Sequence, residues 1–131
     1  MGLWSIDKNT MAVTMHKGYT GAYWVNLERS TGLNFDEGDV AIYEVKQGAT
    51  VKIHREFELQ PDEPDEFCPG NGRLLIAFRN SDTDTWAAGA YQTEIRVVLN
   101  PIRSDGSVVD GDTVRTVIKS TVTIQDVLIN I

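Results

Sequence analysis

Metal binding, nucleophilic attack and acid–base work would fall in this sequence to two histidines, His16 and His54, a single cysteine, Cys68, and a scatter of carboxylates. Zinc needs three or four Cys, His or acidic ligands at a workable spacing. Here the candidates sit on separate elements, with no HxxxH or CxxC pairing. His54 is expected to face solvent from the polar side of a strand, and His16 to lie at a loop or edge. Cys68 stands between Phe67 and Pro69 in an acidic neighbourhood, which raises a thiol's pKa and makes it a poor nucleophile. No Gly-x-Ser-x-Gly elbow with a histidine partner occurs. Glu56 and Glu58 share one face of a strand and would hydrolyse a glycoside only inside a cleft, so solvated surface is the expected role. Asp105, Asp110 and Asp112 offer oxygen ligands around two glycines. Their spacing departs from the calcium-binding EF-hand, and a hairpin loop using Asp and Gly for turn geometry accounts for them. The cluster Asp62, Glu63, Asp65 and Glu66 reads the same way. No catalytic residue, cofactor site or metal site is assigned, and the chain is not expected to be an enzyme.

The aromatics offer a different chemistry, that of contact. Trp4, Trp24 and Trp86 could form a sugar-stacking platform, pack in the core, or anchor another subunit. Trp24 alternates out of phase with Tyr23, Val25 and Leu27, so strand parity sets it on the opposite face from that row. An outward Trp is a ligand platform or, in preference, an anchor for another protein chain. The interaction candidates are Trp24, Tyr23 and Trp86.

These residues are positioned by strands. Val51, Ile53, Phe57 and Leu59 alternate with Lys52, His54, Glu56 and Glu58, and Tyr91, Thr93, Ile95, Val97 and Leu99 with Gln92, Glu94 and Arg96. Each is a strand with one wet face. Arg55 interrupts the first inner row, so the strand bends there or the side chain snorkels to an edge. Weaker strands are expected over Met11 to Met15, Tyr23 to Leu27, Val40 to Val45, Leu74 to Phe78 and Val114 to Ile124, the last rich in β-branched residues. Turns rich in Gly, Asp and Asn separate them, at Lys17-Gly18, Ser30-Thr31-Gly32, Glu37-Gly38-Asp39, Gln47-Gly48, Pro69-Gly70-Asn71-Gly72, Asp105-Gly106 and Asp110-Gly111-Asp112. No amphipathic helix of the length a βαβ fold requires is visible. The segment Ser81 to Ala88 offers one capped turn before Gly89, read as a corner crossing from one sheet to another. Its continuation through Gly89-Ala90-Tyr91 is similar to the tyrosine corner of immunoglobulin-like sandwiches, although the cysteine expected two residues later is Thr93. Gln60 to Gly72 and Asn100 to Thr113 are longer connections, the first an exposed acidic loop. The expectation is an all-β, immunoglobulin-like β-sandwich of about seven antiparallel strands, with residues 1–131 forming a single domain.

Composition agrees with a folded domain. The 131 residues are 41% hydrophobic and 24% charged, near the globular average. Twelve Lys and Arg against 19 Asp and Glu give a formal charge of −7, which repels phosphate backbones and anionic lipid alike. Neither nucleic acid nor membrane is an expected partner, and no apolar run approaches the roughly 20 residues that span a bilayer. The opening Met1 to Ile6 lacks the basic and apolar regions of a secretory signal, and Ile6 stands where a myristoylation site needs Ser or Thr. One cysteine forms no internal disulfide, and the chain is expected to be made in a reducing cytosol.

The order of these elements resembles a group of small phage structural proteins and the N-terminal sandwich of tailed-phage baseplate upper proteins. The residues that carry the likeness begin with Thr14-Met15-His16-Lys17-Gly18-Tyr19-Thr20-Gly21, an opening strand and short turn. Phe35-Asp36-Glu37-Gly38-Asp39 then launches the strand from Val40 to Lys46. Asp82 to Leu99 joins a polar segment with Asp and Trp to Gly-x-Tyr and an alternating strand, and Thr121-Val122-Thr123-Ile124 closes the order. The resemblance implies a virion component, made in the bacterial host cytoplasm and associated with the tail or baseplate. It would bind other virion proteins, or copies of itself in a homo-oligomer, without catalysis. A baseplate upper protein continues into a receptor-binding or adaptor region, which this sequence is expected to lack after Ile131. The alternative expectation is a small carbohydrate-binding module using Trp24, Trp86 and Tyr23.

Overall fold

Period-two alternation becomes strand at all seven expected places, because a row of apolar side chains on one face is buried only when it lies against a second such row. The structure, a computed structural model, describes residues 4–7, 10–32, 34–111 and 113–125. Along them run β1 (Trp4–Ile6), β2 (Val13–His16), β3 (Gly21–Asn26), α1 (Leu27–Thr31), β4 (Val40–Gln47) and β5 (Thr50–Glu58). They are followed by β6 (Arg73–Phe78), α2 (Asn80–Thr83), β7 (Gly89–Leu99), β8 (Ile102–Ser104), β9 (Ser107–Asp110) and β10 (Thr113–Gln125). The described residues are all-β apart from two single-turn helices.

The described strands form three sheets. The largest has six strands in the order β1-β2-β10-β7-β4-β5; β3 pairs with β6, and β8 with β9. Among the described residues all pairings are antiparallel except one. β2 runs parallel to β10, with Val13 opposite Val122 and Met15 opposite Ile124. This corrects the expectation of a uniformly antiparallel fold: parallel neighbours need a long crossover, and here nearly the whole domain lies between the two strands. The short β1 and the β8–β9 hairpin raise the strand count above seven.

One main core lies between the six-stranded sheet and the β3–β6 pair. Val13, Met15, Tyr43, Val45, Phe57, Tyr91, Ile95, Val97, Val122 and Ile124 meet Val25, Leu27, Leu74, Ile76 and Phe78 there. Each fully buried side chain of this size is worth about 1.5–3 kcal/mol relative to exposure. A second, smaller cluster of Val40, Ile42 and Val98 lies on the other side of the six-stranded sheet, where Val108 of the hairpin covers it. The strand expected to run to Leu27 instead ends at Asn26. Its side chain accepts a hydrogen bond from the Arg29 N–H (2.9 Å) and starts α1, which Gly32 stops in the left-handed region at φ 70°.

The segment from Ser81 to Ala88 is the expected corner, leading from β6 in the small sheet to β7 in the large one. Thr83 is fully buried at its turn and accepts a hydrogen bond from the Gly18 N–H (2.9 Å), while Asn80 Nδ2 donates to the Gly18 carbonyl (2.7 Å). Tyr91 Oη donates back to the Ala87 carbonyl (2.6 Å), the bond that the Gly-Ala-Tyr spacing suggested.

Candidate functional site

The outer face of the six-stranded sheet gathers most of the ionisable chemistry. Alternation in β4, β5 and β7 sends Glu44, His54, Glu56, Glu94 and Arg96 to this one side, and pairing makes Glu44 the direct neighbour of both His54 and Glu94. Glu44 is buried, with 7% of its surface exposed. Its carboxylate lies 2.7 Å from His54 Nδ1, 3.3 Å from Arg96 Nη2 and 3.4 Å from Lys46 Nζ. Burial pushes the Glu44 carboxyl up, but His54, Arg96 and Lys46 outweigh it and hold the group below its ordinary value. His54 turns its other nitrogen to Glu56 Oε2 at 3.3 Å, and these carboxylates, Glu44 above all, raise the imidazole against the smaller opposing effect of burial. Glu56 in turn receives Arg103 Nη1 (3.2 Å) and the Val108 N–H (3.3 Å), so the β8–β9 hairpin is tied down onto the sheet. Arg96 Nε lies 3.4 Å from Glu94 Oε1, close enough for attraction though without hydrogen-bond geometry.

His54 thus faces outward, as expected, but is held between two carboxylates, and Glu56 is covered by the hairpin where free solvation was expected. Neither relation is readable from spacing alone, since Glu44 is ten residues away and the hairpin almost fifty. The arrangement is an ion-pair network with each acid matched to a base. Among the described residues, no group of three or more His, Cys, Asp or Glu side chains is placed to hold a metal ion.

Other candidates lie apart. His16 ends β2, half-buried, on the far side of the sheet order from His54. Cys68 is half-buried in the acidic loop; burial raises its thiol pKa, with Asp65 and Glu58 adding to the effect and the Glu58 backbone opposing it. Asp62, Glu63, Asp65 and Glu66 are exposed. Asp65 Oδ1 accepts the N–H groups of Phe67 and Cys68, both at 2.8 Å, which makes it a turn former. Asp105 is exposed at the hairpin turn and Asp110 at the far end of β9, and Asp112 lies outside the described residues.

The three aromatic candidates separate by burial. Trp24 is 56% exposed, on the opposite side of β3 from the core, as parity required. Trp86 is 7% exposed and stacks on Tyr91, with ring centroids 4.8 Å apart. This corrects its selection as a contact residue: the corner folds the indole inward onto the strand that follows. Tyr23 points the other way from Trp24, into the core beside Tyr43. Burial pushes its phenol up to about 12, with Tyr43 opposing. The side chain of Trp4 lies outside the described residues. A platform of Trp24, Trp86 and Tyr23 is therefore not assembled.

The face around Trp24 is apolar towards Ala22 and Ala77 and polar towards Asn26 and Arg73. Across the β3–β6 pair it stands opposite Leu75, and Ala22 stands opposite Ala77, so these four share the outer face. Beside them a groove of about 540 Å³ runs between β5 and β6, lined by Leu75, Ala77, Phe67, Cys68 and Phe57 on its apolar side. Arg55 spans it, donating from Nη1 to the Ala77 carbonyl and from Nη2 to Asp82 Oδ2 at 3.0 Å. The residue that breaks the inner row of β5 thus reaches across to the neighbouring sheet edge.

No protein-family model matches the chain, and neither a curated protein nor a solved structure does so. Among the described residues, no helix is long and apolar enough to cross a membrane.

Proposed function

We propose that this chain is a non-catalytic assembly module with an immunoglobulin-like sandwich fold. In this reading it works as a virion structural protein of a phage or prophage, at the tail or baseplate. The observation that carries the contact role is Trp24, more than half exposed on the outer face of β3 and β6 beside Ala22, Leu75 and Ala77, with Asn26 and Arg73 on its other flank. A tryptophan costs free energy when left in water, and its large flat surface makes it the side chain most often found at the energetic centre of a protein interface. The formal charge of −7 favours a partner whose rim is basic.

The immunoglobulin-like reading draws on strand order. If β3, β4, β5, β6, β7 and β10 are strands B, C, C′, E, F and G, then C, C′, F and G share one sheet and B pairs with E in the other. Tyr91, bonded back to Ala87, then sits near the start of strand F, where the tyrosine corner belongs. The virion assignment draws on the ordered motifs from Thr14 to Ile124. Particles purified from cells carrying the gene should contain the chain, and Trp24→Ser should strip it from them while the purified variant stays folded. Mature particles with complete tails but without the chain overturn the assignment.

A further inference from the structure

Two apolar patches lie on opposite sides of the molecule. One is the outer face of β3 and β6, where Trp24 is 56% exposed. The other is the outer surface of the β8–β9 hairpin. There Arg103 reaches inward to Glu56 and Val108 turns in to cover Val40, Ile42 and Val98, so Ile102, the strand neighbour of Arg103, points away from the sheet. The hairpin register shifts between Ile102 and Arg103, which leaves Val109 as an extra residue in β9 and turns it out beside Ile102. Ile102 is 57% exposed and Val109 61%, each slightly more than Trp24. Val51, the other large hydrophobic side chain exposed among the described residues, sits apart at the start of β5. The main core lies between the sheets, so the two patches face apart and one copy cannot close them on itself.

The charges beside the patches are of opposite sign. β6 carries Arg73, Leu75 and Ala77 along its outer row, and Arg79 follows at the same parity; both arginines are exposed. The acidic loop lies on the other side of β6 from Trp24, where the Leu75 N–H donates to the Phe67 carbonyl (3.0 Å). On the hairpin, Asp110 stands opposite Ile102 and Asp105 sits at the turn, both exposed. Its base, Arg103, is already committed to Glu56 (3.2 Å) and to the Gly106 carbonyl (3.1 Å). An indole flanked by arginines and two aliphatic side chains flanked by aspartates are therefore complementary in both apolar area and charge. Their lengths agree as well: at about 3.3 Å per residue, Arg73 to Arg79 spans about 20 Å and Asp105 to Asp110 about 17 Å. The formal charge of −7 opposes self-association at long range, but at physiological salt it is screened beyond about 8 Å, and the groups at the contact decide.

We propose that the Trp24 face of one copy docks on the β8–β9 hairpin of the next, a head-to-tail contact that repeats from copy to copy. This rests on the reading of Trp24 as a docking residue and names what docks there. Because the two surfaces differ, a pair of copies still has one of each free, and association runs on into a ring or a filament.

Variants that disable one surface at a time test it. Trp24→Ser removes the indole and leaves the hairpin. The double variant Ile102→Ser, Val109→Ser removes the hairpin's outer patch, leaves Trp24, and spares Arg103 and Val108, which hold the hairpin down. All three side chains are more than half exposed, so both variants should keep the wild-type circular dichroism and unfolding midpoint. In sedimentation velocity at physiological salt, the wild type should form species larger than a dimer as its concentration rises. Each variant alone should associate at least about thirtyfold more weakly. An equimolar mixture of the two should give a one-to-one dimer and nothing larger, since the intact Trp24 of one variant meets the intact hairpin of the other and no further surface remains.

A wild type that stays monomeric to millimolar concentration overturns the contact between copies and leaves Trp24 to dock on another virion protein, which the particle experiment decides. A mixture that stays monomeric overturns it too, as does a hairpin variant that associates like the wild type. Assembly in solution through these two surfaces, by a chain that is absent from purified particles, keeps the contact and removes the virion reading.

Discussion

On the outer face of the six-stranded sheet the polar groups answer one another, whereas on the outer face of β3 and β6 the Trp24 indole lies largely open beside Ala22, Leu75 and Ala77. The first face is covered in part by the chain's own hairpin, with Glu56 holding Arg103 and the Val108 amide from below. The second is less covered among the described residues, where Trp24 is 56% exposed. A surface whose charges are matched internally contributes to stability and register. A surface whose apolar groups are left over gains most when something else covers it. The contrast explains why the face richest in acid and imidazole is the poorer candidate for function.

Substitutions should separate the two faces by effect. Glu44→Ala should cost the most, about 2 kcal/mol in urea unfolding, because it leaves His54, Arg96 and Lys46 without their shared acid. A loss within the scatter of surface substitutions would mean that the network is decorative.

The pH dependence is a subtler consequence of the same face. The folded-state pKa of His54 is raised, so its contribution is full below the ordinary imidazole value of about 6.5 and is lost as pH rises through the folded value. That of Glu44 is lowered, so its contribution is full above the ordinary carboxyl value of about 4.3 and is lost as pH falls through the folded value. The pair therefore supports the fold best between those limits. Stability should decline on titration upward from about pH 6.5, and His54→Gln should flatten that decline. The side chain of His54 is 45% exposed, so the contribution is that of a screened pair, below about 1 kcal/mol.

The smallest change in stability belongs to the other face. Trp24→Ser should move the unfolding free energy by no more than about 0.5 kcal/mol, the range of surface substitutions. A large loss there would make Trp24 a structural residue and dissolve the contrast between the faces.

Much of the architecture was legible because it is local. Alternation over Val51 to Leu59 and Tyr91 to Leu99 states which side chains share a face, and parity alone turned Trp24 outward. The Asn26 cap and the Gly32 stop of α1 were equally present in the residues, but the apolar row running through to Leu27 concealed them. Trp86 was misplaced because a corner carries no period. Whether its indole points in or out depends on Tyr91, which meets it only after the chain has turned.

The sequence by itself determined seven of the strands, the parity of their faces and most of the turns between them, since these depend on φ/ψ preferences and on side chains a few residues apart. Tertiary structure alone decided that β2 lies parallel beside β10, that Glu44 sits between His54 and Arg96, and that the β8–β9 hairpin covers one face while Trp24 stays bare. Those outcomes depend on which distant strands become neighbours. An alternating pattern fits many partners equally well until the whole core closes and selects one.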